Sequence, residues 1–111
     1  EYWAVPEPPD DVNVTHGSGG YPHVTFAPKQ SFVIYQLLRT DLDDNQTVLI
    51  GEYEGGESVI SVDDFSAKYG HWYAYHVVPV HPKIEINGLQ LSGKPSARVD
   101  IEMQSEETYM P

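Results

Sequence analysis

Residues 72–81 read Trp72-Tyr73-Ala74-Tyr75-His76-Val77-Val78-Pro79-Val80-His81. Tyr73, Tyr75 and Val77 recur at every second position, which puts them on one face of an extended strand and spreads them around a helix. Aromatic and β-branched residues also fit a pleated, half-buried surface better than a helical one. The same alternation returns upstream, with Tyr35 and Leu37 in segment 32–40 and Phe26 at the end of segment 23–26. Tyr73, Tyr75, Val77, Tyr35, Leu37 and Phe26 are therefore the expected core.

Working outward, period-two stretches lie at 12–16, 23–26, 32–40, 47–53, 58–62, 72–80, 83–86 with 89–91, and 97–103. Between them stand chain-turning clusters: Gly17-Ser18-Gly19-Gly20, Pro28, residues 41–45, Gly55-Gly56, Asp63-Asp64, Pro82, Asn87-Gly88 and residues 93–95. Asn87-Gly88 is the sharpest of these, because a two-residue hairpin turn needs positive φ at both centres. It predicts that Ile84 and Ile86 pair with Leu89 and Leu91. Segment 63–69 is the one stretch with helical character, short enough to be a loop or a 3₁₀ turn capped by Asp63 or Asp64. Short strands joined by regular turns predict an all-β protein, an antiparallel two-sheet sandwich of about seven strands.

The 111 residues suffice for one domain with its own apolar core. Residues 1–10, with Pro6, Pro8 and Pro9 among acids, read as a linker, 11–103 as the sandwich, and 104–111 as a polar tail. A start at Glu1 without methionine, together with these two ends, suggests a piece of a longer polypeptide. Seventeen acidic against six basic residues leave a net charge of −11, which repels nucleic acid and anionic membranes. No apolar run is long enough to span a bilayer. Without cysteine there is no disulfide, thiolate metal site or cysteine nucleophile.

Several segments resemble the fibronectin type III domain, in the form found as accessory modules of bacterial secreted and cell-surface proteins. Tyr35-Gln36-Leu37-Leu38-Arg39-Thr40 is similar to that family's third strand. Tyr73, Tyr75, Val77, Pro79 and Val80 follow its Y-x-Y-x-V-x-A-V strand, with proline where alanine is usual. Residues 8–14 resemble its first strand, and 91–101 the approach to its last. The tryptophan usual in the second strand is replaced by Phe26, and the hairpin over 83–91 is extra. The resemblance implies an immunoglobulin-like sandwich in which Tyr73 is a tyrosine corner, its hydroxyl bonded to upstream backbone. It also implies an extracellular or cell-surface module, possible hosts being polysaccharide hydrolases and cell-wall penicillin-binding proteins. The module would space, orient or dock the neighbouring domains of its host. A carbohydrate-binding accessory module is the alternative.

Asp41, Asp43, Asn45 and Glu52 stand at the first, third, fifth and twelfth places of a calcium-loop pattern, but Gln46 occupies the place of the bend glycine. A solvated hairpin turn is the competing reading. Of the five histidines, His76 stands five places from His71 and five from His81, so along a strand it faces the side opposite to each of them. Residues 41–64 hold acids and no lysine or arginine, so one margin of the sandwich carries a negative field suited to a basic partner. Trp3, Trp72 and Tyr53 are the aromatics that could meet a glycan or protein ligand. Neither a nucleophile elbow nor a phosphate-binding loop occurs, so no enzyme and no cofactor is expected.

Overall fold

The computed structural model describes residues 5–56 and 58–103. Eight strands follow in order: β1 (Asn13–His16), β2 (Pro22–Phe26), β3 (Ile34–Asp41), β4 (Gln46–Glu54), β5 (Ile60–Asp63), β6 (Trp72–Ile86), β7 (Leu89–Ser92) and β8 (Val99–Glu102). They form two antiparallel sheets. The smaller is ordered β1-β2-β5; the larger is ordered β4-β3-β6-β7, with β8 also on β6. The inward faces meet in one core of Val24 and Phe26 from the smaller sheet, and Tyr35, Leu37, Tyr73, Tyr75, Val77 and Ile101 from the larger. All six side chains expected in the core are buried, at no more than 1% exposure.

Eight strands are seen where about seven were expected, because the last one is divided. β8 pairs with residues Trp72 to Tyr75 of β6, and β7 with the far half of the same edge. Between them the Ser96 N–H donates to the Val77 carbonyl (2.8 Å), and the Ser96 hydroxyl accepts from the Val77 N–H (2.9 Å). One serine thus continues the ladder across the gap.

Pro82, expected to end a strand, lies within β6. It falls where the β6–β7 register shifts, between Val80 and Glu85, a position at which the missing N–H removes no ladder bond. The hairpin turns at Asn87 (φ 54) and Gly88 (φ 82) and pairs Ile86 with Leu89 as expected, whereas the expected Ile84–Leu91 pairing gives way to the register shift that begins beyond Glu85–Gln90.

The stretch read as a linker packs on the sandwich from residue 5 onward. Pro6 and Pro9 are buried, the Glu7 N–H donates to Gln30 Oε1 (2.7 Å), and Asp10 pairs with Lys29 (2.9 Å). Gly93 makes this possible, since a Cβ there would collide with the Pro6 carbonyl.

Candidate functional site

The inward row of β3 runs Tyr35, Leu37, Arg39, Asp41, so it changes from apolar to charged toward one end of the sandwich. Arg39 donates to Asp64 Oδ2 (2.9 Å) and to the Ser66 hydroxyl (2.8 Å). Asp64 is 2% exposed and also accepts the Tyr75 hydroxyl (2.5 Å), the Ser66 hydroxyl (2.6 Å) and the Ser66 N–H (3.1 Å). Asp64 therefore caps the turn in segment 63–69, the role foreseen for it. Burial pushes its carboxyl up, but the hydrogen bonds from Ser66, Tyr75 and Arg39 and the Arg39 charge outweigh that and hold it below its ordinary value. Burial, and then the bond to Asp64, raise Tyr75. The Arg39 guanidinium lies 4.8 Å from the centre of the Tyr73 ring. The Tyr73 hydroxyl accepts the Lys68 N–H (2.7 Å), five residues upstream, which is the geometry of a tyrosine corner.

Tyr73 also stacks on His71, at 5.9 Å and 15°. His71 Nδ1–H donates to Asp41 Oδ2 (2.9 Å) and lies 3.2 Å from Asp43 Oδ2. The β3–β6 pairing explains the meeting. Asp41 lies opposite Tyr73, and His71, two residues before Tyr73, shares its face. Burial pushes the Asp41 carboxyl up, but the Asp43 N–H, the His71 bond and the charges of His71 and Arg39 more than offset this and lower it. Ligand atoms of Asp41, Asp43 and His71 lie within 4.8 Å of one another. One imidazole and two carboxylates form a donor set for a transition metal, whereas calcium takes oxygen ligands alone.

The expected calcium constellation does not assemble. Asp41 and Asp43 converge, but Asn45 takes positive φ (62°) to turn the chain, and Glu52 lies opposite Gln36, five places along β3 from Asp41. Glu52 instead accepts Gln36 Nε2 (2.9 Å). The pattern failed because residues 41–52 form a β-hairpin, in which the twelfth residue runs away from the first; a calcium loop folds back on itself. His71 was the missed partner. Spacing along the chain relates the histidines only to one another, whereas in the fold two of them lie beside aspartates: His71 with Asp41, and His23 with Asp63 (2.7 Å).

The aromatic candidates do not share a platform. Tyr53 packs on the core, edge-on to Phe26 at 6.4 Å, near the Tyr35 end of the sheet. Trp72 is 47% exposed at the opposite end, beside Glu102. Trp3 lies outside the described residues, as does the tail 104–111. A surface depression of about 280 Å³ is lined by Phe32, Ile34, Glu54, His81 and Lys83, and it opposes no pair of carboxylates.

Along the margin of the larger sheet, β4 has β3 as its one strand neighbour among the described residues. Val48 and Leu49 are 42% and 51% exposed there. Asp43 and Asp44 flank them on one side, Glu52 and Glu54 on the other, all exposed. No helix among the described residues is long and apolar enough to cross a membrane. No protein-family model, curated protein or solved structure matches the chain.

Proposed function

We propose that the chain is a non-catalytic, fibronectin type III-like module that spaces its neighbours or docks a protein partner within a longer extracellular protein. The observation that carries this reading is the joint occurrence of the strand order β1-β2-β5 against β4-β3-β6-β7/β8 and the Tyr73 hydroxyl bonded to Lys68. A two-sheet antiparallel sandwich and a corner at Tyr73 are what the resemblance of segments 35–40 and 73–80 led one to expect. The inward faces of both sheets are filled by side chains of the core. Among the described residues, the ionisable groups at the end of the sandwich bond to one another rather than facing across a cleft.

Two measurements test the reading. The isolated chain should unfold as one cooperative unit and turn over none of a panel of glycoside, ester, phosphoester and peptide substrates. An antibody to the chain should label intact, unpermeabilised source cells. Turnover that disappears on substitution within the chain would overturn the non-catalytic assignment, and labelling only after permeabilisation would overturn the placement. Retention on peptidoglycan, chitin or cellulose columns, lost in Trp72→Ala, would turn the reading toward a glycan-binding module.

A further inference from the structure

We infer that the free margin of β4, over residues 46–49, receives an extended basic segment of a partner protein as an additional strand. The inference rests on the reading of the chain as an interaction module and names the surface and the partner chemistry.

A strand at the margin of a sheet carries backbone N–H and C=O groups with no ladder partner on its outer side, a template for another chain. The larger sheet has two margins of different character. One is divided between β7 and β8, four residues each, with Pro95 in the gap. The carbonyl of Glu102 in β8 is further covered by His16 Nε2 (2.6 Å). Short, interrupted and capped strands resist augmentation. The other margin is β4, nine residues long and without proline.

The side chains of β4 specify the visitor. Gln46, Thr47, Val48 and Leu49 are uncharged and exposed, and Val48 and Leu49 place one apolar side chain on each face beside the backbone template. Asp43 and Asp44 stand before it, Glu52 and Glu54 after it, and segment 41–64 contains no lysine or arginine. An incoming strand with apolar residues at its centre and lysine or arginine at its ends meets complementary charge at both.

The same features disfavour a second copy. Each chain carries −11, and the bulge between Leu37 and Leu38, which leaves Ile50 as the extra residue of β4, twists the margin away from flat self-pairing. Residues 46–49 lie on one side of that bulge in unbroken register with β3.

The probe is a short peptide with valines at its centre and lysines at both ends, titrated into the ¹⁵N-labelled chain, with a peptide of equal length carrying glutamates in place of the lysines as control. Amide shifts and slowed hydrogen exchange should concentrate in β4, and affinity should fall as salt is raised. Leu49→Lys, an exposed substitution that should leave the melting midpoint in place, should weaken binding by about tenfold or more. The proposal is overturned if shifts fall on β7, β8 or the depression around His81. It is equally overturned if the glutamate peptide binds as well, if Leu49→Lys binds unchanged, or if β4 pairs only with a second copy as concentration rises. These failures would leave the module reading standing, because that reading falls to turnover or to an intracellular location.

Discussion

Two ionic clusters sit within two residues of each other on the inward row of β3, and they are built for different tasks. Arg39–Asp64 is sealed: Asp64 is 2% exposed, and its oxygens are taken by arginine, serine and tyrosine donors. Asp41–Asp43–His71 lies at the rim, with Asp43 and a third of His71 open to water. Tyr73 is shared, meeting Arg39 and stacking on His71. A buried pair is strongly destabilising to break because the surviving charge has nowhere to go, whereas a rim pair is replaced by water. Position, more than residue type, sets what each cluster contributes.

The largest effect should come from breaking the sealed cluster. Arg39→Ala leaves the Asp64 carboxylate buried without its cation and should lower stability by about 3–5 kcal/mol in urea unfolding. Adding Asp64→Ala should cost less than the sum of the two single changes, since the pair is coupled. A loss under about 1 kcal/mol for Arg39→Ala would show that the pair is effectively solvated.

Tyr73→Phe removes the one hydroxyl that bonds Lys68 and leaves the guanidinium and imidazole contacts in place. Stability should drop by about 0.5–1.5 kcal/mol, the range for losing one part-buried hydrogen bond, with little change in the urea m-value. If the mutant is neutral, the corner is ornamental.

Acid separates the clusters further. Asp64 and Asp41 are both held below their ordinary carboxylate value in the fold. The stability they add is complete above about pH 4 and is lost as pH falls through the lowered values, when the folded state must take up protons. The wild-type melting midpoint should fall over that range, and Asp41→Asn should remove the part of the slope that belongs to the rim.

The smallest effects belong to the rim itself. His71→Ala should change stability by less than about 1 kcal/mol, and the difference should shrink in high salt. Calcium should leave the melting midpoint where chelator leaves it, because Asn45 and Glu52 do not join Asp41 and Asp43.

What the amino-acid order disclosed follows from the range of the forces involved. Alternation in 72–80 and 35–37 is local and marks buried faces directly, so the core residues were legible, and so was the Asn87-Gly88 turn. Asp64 was readable as a cap because it bonds Ser66, two residues away. Arg39–Asp64 and Asp41–His71 join residues 25 and 30 positions apart, and only strand pairing brings them together. Placing Asp41 opposite Tyr73 in advance would have exposed His71 as its companion, but hairpin lengths alone do not set a β3–β6 register. The break between 89–91 and 97–103 was legible from the cluster at 93–95, but that both pieces lie on one edge of β6, bridged by the Ser96 hydroxyl, was not.

The unequal margins of the larger sheet have a consequence for assembly. Fibrillar growth needs a unit that is receptive on both flanks, so that each newcomer offers a fresh seam to the next. Here one flank is welcoming and the opposite one is fragmented between β7 and β8. A second copy that turned its β7/β8 flank toward β4 would meet it with two short, interrupted strands, so growth of the sheet from copy to copy through these two flanks is disfavoured.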